Sequence, residues 1–187
     1  VYVLRKTVKT ELNLEMAATK EMLDVTLEVK PDMVTIVPEK RQELTTEGGL
    51  DVKTHAEGLK KFISHIKDAG IRVNLFIDPS PEAVKACHRI GSDGVEIHTG
   101  AYAGTREGQV RAAELKRIYD TAVLSKRLGM RTHAGHGLDY YNILPVASIR
   151  EIDEFAIGYS IISRAVYVGI EEAVREMKRL ITEGSGR

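Results

Sequence analysis

Short β-branched and apolar runs recur along the whole chain, each followed by a longer segment of helical period, and this alternation restricts the fold more than any other feature. Strands are expected over residues 11–15, 33–37, 72–77, 94–98, 131–133 and 154–157. Between them lie apolar stripes at helix spacing: Leu59, Phe62, Ile63 and Ile66 in one segment, Leu115, Ile118 and Ala122 in another. The last stripe is Ile170, Ala173, Val174, Met177, Leu180 and Ile181. Helix exits carry glycine in A-G-I-R-V and L-G-M-R-T, each just ahead of a strand.

Buried strands alternating with helices predict an α/β protein with a parallel sheet of βα units. No Gly-rich dinucleotide fingerprint follows a strand, so the expectation is a (β/α)8 TIM barrel rather than a Rossmann sheet. Six strands fall two short of closure. A barrel of this kind usually has ~250 residues, so roughly the first two βα units are expected to be missing from the 187 present. The opening V-Y-V-L-R-K-T reads as the tail of an element already under way. Residues 1–187 otherwise read as one domain, without a linker or repetitive stretch.

Lys plus Arg and Asp plus Glu number 27 each, which leaves no global field to recruit nucleic acid or an anionic membrane. Any anion site must be local. The single cysteine, Cys87, lies in the apolar rhythm of Ala83, Val84 and Ile90 and reads as a buried structural thiol. With no disulfide possible and no apolar run near ~18 residues, a cytoplasmic location is expected.

In a barrel the chemistry gathers at the C-terminal ends of strands and in the loops that follow. Those places hold Glu15 in N-L-E-M-A, the loop 38–51, Glu96 and His98 in V-E-I-H-T-G, His136 in A-G-H-G, and Gly158 in A-I-G-Y-S. His136, between two glycines and without apolar neighbours, suits a proton donor. Glu15 and Glu96 would be carboxylates inside an apolar barrel mouth, raised in pKa by desolvation, or else ion-paired there. His133 reads as structural or supporting, His98 stays open between support and function, and His55, His65 and His88 read as helix-surface residues. Gly137 and Gly158 would let backbone N–H groups approach an anion, aided by a helix beginning at Tyr159 or Ser160. The plainer alternative makes Gly158 a turn and Ser160 an N-cap. Thr45 and Thr46 are short donors apt for gripping phosphate. Ligand spacing such as H-E-x-x-H is absent, so no metal is expected.

Taken together, V-P-E-K-R-Q-E-L-T-T-E-G-G-L-D, N-L-E-M-A, E-I-H-T-G-A-Y-A, A-G-H-G-L and I-G-Y-S-I-I-S-R-A-V resemble the pyridoxine 5'-phosphate synthase family over essentially the whole chain. The resemblance implies a transferase-type, ring-closing enzyme of vitamin B6 (pyridoxine) biosynthesis. It would condense 1-deoxy-D-xylulose 5-phosphate with 3-amino-2-oxopropyl phosphate, giving pyridoxine 5'-phosphate, phosphate and water without a metal or organic cofactor. By match to the family's motifs, Glu15 is a general base, His136 the general acid, and Glu96 a carboxylate that stabilises a transition state by charge. Thr45 matches a contact to the deoxyxylulose phosphate, and Gly137, Gly158 and Tyr159 match the grip on the aminooxopropyl phosphate. The resemblance also implies a cytoplasmic homo-octamer.

Two departures stand out. The family commonly has I-G-H where this chain has Tyr159, which can donate a hydrogen bond but carries no positive charge. Its N-x-D-H strand and H-L-R-x-D-R-R-H strand, with a further catalytic His and most cationic phosphate contacts, are not in the chain. Two rivals follow. Another phosphosugar barrel would have no reason to carry V-P-E-K-R-Q-E-L-T-T-E-G-G-L-D. A catalytically inactive barrel fragment would bind phosphorylated ligands, or assemble with partners, without turnover.

Overall fold

The computed structural model describes residues 1–39, 48–106 and 108–186. Within them the chain runs α1 (Tyr2–Thr7), β1 (Asn13–Met16), α2 (Lys20–Val29), β2 (Met33–Ile36), α3 (Ala56–Asp68), β3 (Arg72–Ile77), α4 (Pro81–Arg89) and β4 (Gly94–His98). It continues through α5 (Gly100–Gly104), α6 (Gln109–Arg127), β5 (Arg131–Gly135), α7 (Ile143–Ala147), β6 (Glu154–Ala156), α8 (Tyr159–Val168) and α9 (Ile170–Ser185). All six strands are parallel and lie in sequence order in one sheet. The expected α/β class and strand order therefore hold.

The sheet is curled. On its concave side Glu11, just ahead of β1, forms ion pairs with Arg72 of β3 and with Arg131 of β5. Asn74 of β3 likewise meets His133 of β5, at 3.4 Å. Side chains two or more strands apart touch only if the strands bend round toward one another. Among the described residues the six strands form an open part of a barrel, with β1 and β6 as its edges.

Strand parity divides the side chains between two environments. Val34, Ile36, Val73, Leu75, Ile77, Val95 and Ile97 point outward and are fully buried against the helices. There they meet the predicted stripes, Leu59, Ile63 and Ile66 of α3 and Ile118 and Ala122 of α6, while Met177 of α9 joins the same core from a helix packed on α7 and α8. Cys87 of α4 is buried in the same layer, and burial pushes its thiol up to about 12, consistent with a packing role. The alternate positions face the concave side: Asn13 and Glu15, Thr35, Asn74 and Phe76, Glu96 and His98, His133 and Gly135, and Glu154. Barrel interiors are usually filled by bulky branched residues. This one is polar.

One device recurs at the N-terminal end of the sheet and holds the register. Asp32, just before β2, accepts the Leu12 N–H at 2.8 Å and an Arg5 hydrogen bond at 2.7 Å. Asp93, just before β4, accepts the Val73 N–H at 2.9 Å and pairs with Lys67 at 2.6 Å. Asp153, just before β6, accepts the Thr132 N–H at 2.9 Å and pairs with Lys126 at 2.6 Å. In each case the aspartate's own N–H returns to the carbonyl of the residue it caps, at 3.1, 2.8 and 2.7 Å. Every second strand is thus pinned to its predecessor and to the helix before that predecessor.

Boundaries differ from the sequence reading where pairing overrides composition. β1 is Asn13–Met16, not 11–15, because Asn13 is the first residue in register with Met33. β5 runs on to Gly135, since Ala134 and Gly135 pair with Ile97 and His98. β2 stops at Ile36 and β6 at Ala156.

Replacing Asp93 by Ala removes the acceptor for a partly buried N–H and should cost about 1–3 kcal/mol. Lys67→Ala, which loses a partly exposed ion pair and an exposed hydrogen bond to the Gly91 carbonyl, should cost roughly 0–1 kcal/mol. Urea unfolding of both variants decides the matter; equal small losses would show that the carboxylate does not hold the register.

Candidate active site

The strand ends that carry the predicted residues converge on the C-terminal mouth of the curled sheet. Glu96 sits on β4, a strand buried along its whole length, and is itself 3% exposed. Its pKa is pushed up to about 7, first by desolvation and then by the charge of Glu15, against a smaller opposing hydrogen bond from Thr35. The two predicted carboxylates are therefore close enough to feel each other. Glu96 Oε2 has no hydrogen-bond partner within the chain. Space for its other oxygen comes from Gly135, where an added Cβ would lie 2.7 Å from Glu96 Oε1 and 3.0 Å from the Ala156 Cβ.

Glu15 departs from expectation. It is exposed rather than buried, because β1 is an edge strand and the concave face beside it is open. Its backbone register with Thr35 still aims it inward. The arrangement is an asymmetric carboxylate pair, one member dry and one wet. Such a difference in environment suits the two to different proton-transfer roles.

His136 is exposed at the mouth and holds an unusual backbone, φ 80°. A non-glycine residue there costs free energy, and such residues cluster at functional sites. Gly137 follows at φ 74°, with Ala103 of α5 pressed against it: a Cβ would approach the Ala103 Cβ to 2.7 Å. The loop is tied down by Thr99, whose hydroxyl donates to the carbonyls of Gly135 (2.8 Å) and His136 (2.7 Å). Asn142 adds a hydrogen bond to the Gly137 carbonyl at 3.0 Å.

Gly158 is the N-cap residue of α8, and no side chain caps that helix. Ser160 is not the N-cap that the plainer alternative required. Its hydroxyl donates instead to the Leu138 carbonyl at 2.9 Å, joining the start of α8 to the loop after β5. Gly137 and Gly158 are thereby brought to one place. Tyr159 is 90% exposed at the first position of α8, and the first turn carries no acidic residue. Thr45 and the middle of the loop 38–51 lie outside the described residues.

The remaining histidines sort by burial. His133 points into the interior at 3% exposure, where burial first of all holds its pKa below the ordinary histidine value. It meets Asn74, and its Nε2 lies 3.8 Å from Glu154. Of the two placements open to it in the sequence, into the barrel or between strand and helix, it takes the first. His55, His65 and His88 are exposed on α3 and α4. His98, left open by the sequence, is 8% exposed and bonds through Nδ1 to Asp78 at 3.1 Å.

Asp78, Thr35 and Asn74 were not singled out by the sequence reading. Asp78 stands directly after β3, so the strand-end rule that found Glu96 and His136 would have found it in F-I-D-P-S-P. Thr35 and Asn74 carry no such signal, being polar residues inside apolar strands. Among the described residues no group of three His, Cys, Asp or Glu could hold a metal ion.

A parallel βα sheet with a buried carboxylate, a strained histidine and glycine loops at the strand C-terminal ends is the arrangement of an α/β enzyme of the barrel type. Solved structures agree on the fold. The chain is similar to one in the Amycolatopsis orientalis BexX/CysO complex, with TM-score 0.60 and 12% identity, over 92% of this chain and 65% of that one. It is also similar to an HpcH/HpaI aldolase from Desulfitobacterium hafniense, with TM-score 0.54 and 13% identity, over 93% and 73%. The family model described as "Pyridoxal phosphate biosynthesis protein PdxJ" matches residues 1–183. The pyridoxine 5'-phosphate synthases of Syntrophotalea carbinolica and Thermodesulfovibrio yellowstonii are each 58% identical over 97% of the chain, covering 76% and 74% of their own lengths. The chain belongs to this family.

The raised pKa of Glu96 has a consequence for stability. Between about pH 4.5 and 7 the folded protein keeps a proton there that the unfolded chain releases, so Glu96 disfavours folding increasingly as pH rises through 7. The full effect is about 3 kcal/mol. Glu96→Gln, which cannot ionise, should gain stability relative to wild type as pH is raised from 5 to 8. A difference in melting temperature that stays constant over that range would show that Glu96 ionises freely.

Proposed function

We propose that this chain carries the catalytic centre of a pyridoxine 5'-phosphate synthase, condensing 1-deoxy-D-xylulose 5-phosphate with 3-amino-2-oxopropyl phosphate to pyridoxine 5'-phosphate, phosphate and water. The observation that carries the reading is the inward-facing pair Glu15 and Glu96, one exposed and one buried with its pKa near 7, beside His136 at the same mouth. Forming an imine and closing a ring by aldol-type steps requires protons to be removed from carbon and delivered to departing oxygen. A carboxylate open to the site and an imidazole at the same mouth are the side-chain types that serve the two ends of that task.

In this reading Glu15, open to the site, takes protons as the general base. Glu96 places negative charge, when ionised, against the cationic character that develops as the amine adds. His136 supplies the proton at ring closure. Gly137, Gly158 and Tyr159 hold the aminooxopropyl phosphate, supported by the Ser160–Leu138 tie and the uncapped start of α8. Thr45 contacts the deoxyxylulose phosphate. No metal or organic cofactor takes part.

Closure of the barrel by two further βα units belongs to the same proposal. It is supported by the two unpaired sheet edges, β1 and β6, and by the three quarters of the relatives' length that the chain matches. Ile162, Val166 and Tyr167 of α8 are 60, 79 and 86% exposed and offer an apolar face for such units to cover. A cytoplasmic homo-octamer is the assembly that the family resemblance favours; no helix among the described residues is long and apolar enough to cross a membrane.

The test is turnover of the two phosphorylated substrates, followed by release of phosphate and of pyridoxine 5'-phosphate. Glu15→Gln and His136→Asn should each lower kcat on the order of 10²- to 10⁴-fold while leaving the circular dichroism spectrum unchanged. Binding of pyridoxine 5'-phosphate without any turnover by the unsubstituted chain would favour the inactive-fragment reading. Tyr159→His addresses the phosphate grip: it should tighten phosphate binding below about pH 6.5, where the imidazole is charged, and leave it unchanged above. Identical affinities across pH would remove Tyr159 from the phosphate site.

A further inference from the structure

Beside Glu96 and His136 at the C-terminal mouth stands a second pair of polar side chains, Asp78 and His98. His98 is inward-facing on β4 and more than nine-tenths buried, with the ring of Phe76 5.0 Å away on one side. Its Nδ1 lies 3.1 Å from Asp78 Oδ1. The same Asp78 oxygen accepts the Gly49 N–H at 3.0 Å. The His98 hydrogen bond, opposed by partial burial and assisted by the Gly49 N–H and the Arg117 charge, holds Asp78 below the usual carboxylate range. An ionised carboxylate only accepts, so the hydrogen between the two side chains sits on Nδ1, and the ring's other nitrogen is Nε2. That Nε2 is buried and has no hydrogen-bond partner within the chain.

The other neighbour of His98 is His136. Their ring centroids are 4.8 Å apart in an edge-to-face arrangement. Both rings close on one glycine: a Cβ on Gly100 would lie 2.5 Å from His98 Nε2 and 3.0 Å from His136 Cδ2. The groups facing His98 are thus Asp78 from the end of β3, with Arg117 of α6 acting through it, Glu96 from its own strand, and His136 from the loop after β5. A buried His whose tautomer is fixed by a carboxylate, packed against an exposed His in a strained backbone, is the arrangement of an orienting shell behind an acting group.

We propose that Asp78 and His98 are positioning residues for His136: Asp78 fixes the His98 ring with Nδ1 protonated, and His98 braces the His136 ring in the orientation that delivers its proton. The inference rests on His136 as the acid of the reaction proposed above. Asp78→Asn is the sharp test, because an amide nitrogen can donate to Nδ1 and so favours the opposite tautomer, a change that disables histidines in Ser-His-Asp enzymes without moving them.

In the full-chain enzyme Asp78→Asn should lower kcat on the order of 10- to 100-fold, the range in which partners behind a functional histidine act. The KM of each substrate should stay within about two-fold, as expected when orientation rather than binding is lost. Asp78→Glu, which keeps the carboxylate, should recover most of kcat. ¹⁵N-labelled histidine spectra should show His98 protonated at Nδ1 in the wild type and at Nε2 in Asp78→Asn. Unchanged kcat in Asp78→Asn overturns the proposal, as does a raised KM at normal kcat, which would make Asp78 a tether for the Gly49 segment alone. Equal loss in Asp78→Asn and Asp78→Glu with lowered melting temperatures also overturns it. His136→Asn run in parallel separates the two readings: if it loses activity while Asp78→Asn does not, only the positioning role fails. If His136→Asn is fully active, the acid assignment fails first and takes the positioning role with it.

Discussion

The register of the parallel sheet is the constraint on which everything at the mouth depends, and three aspartates hold it. Asp32, Asp93 and Asp153 each bind a backbone N–H at the start of the preceding strand region and a basic residue on the helix before it. A slip by one residue in any strand would exchange its two faces. On β4 that slip would turn Val95 and Ile97 inward and drive Glu96 and His98 into the helix layer. The apolar packing opposes such a slip as well, since it would bury Glu96 and His98 among Val, Leu and Ile. The carboxylate bonds are directional where the apolar contacts are not.

That directional hold is needed because the interior it creates is unfavourable. Asn74 Oδ1, Glu96 Oε2, His98 Nε2 and His133 Nε2 are all buried on the concave side without hydrogen bonds from the chain. Unmet polar groups each oppose folding by about 1–3 kcal/mol. The three staples contribute a similar amount apiece, and the outward layer of Val, Leu and Ile contributes more in sum. A polar interior is therefore tolerated by the fold rather than built for its stability.

Much of this was legible in the sequence, for identifiable reasons. β3 and β4 were bounded correctly because R-V-N-L-F-I and G-V-E-I-H end where apolar character ends. β5 was read two residues short because Ala134 and Gly135 have little strand preference and are held by the ladder to β4 instead. The short helices α5 and α7 were missed, too brief to show a period. Glu96 and His136 stand out in the sequence by their position at strand ends; Asp78 holds the same kind of position after β3 but sits beside an apolar run that masks it. The inward polar residues Thr35 and Asn74 were out of reach, since strand parity fixes which face they occupy but not what that face contains. Glu15 was placed on the right face with the wrong burial, because burial depends on neighbours across a sheet edge and not on its own strand.

The exposure of Glu15 and the burial of Glu96 are two aspects of one geometry. β4 is flanked on both sides, so its inward carboxyl is dry and holds its proton to about pH 7. Among the described residues β1 has a neighbouring strand on one side only, and Glu15 is exposed there. The charge on Glu15 in turn raises Glu96 further. The two carboxylates thus share one face of the sheet in unlike surroundings, and the difference follows from where each strand lies in the sheet rather than from the residues that flank each carboxylate.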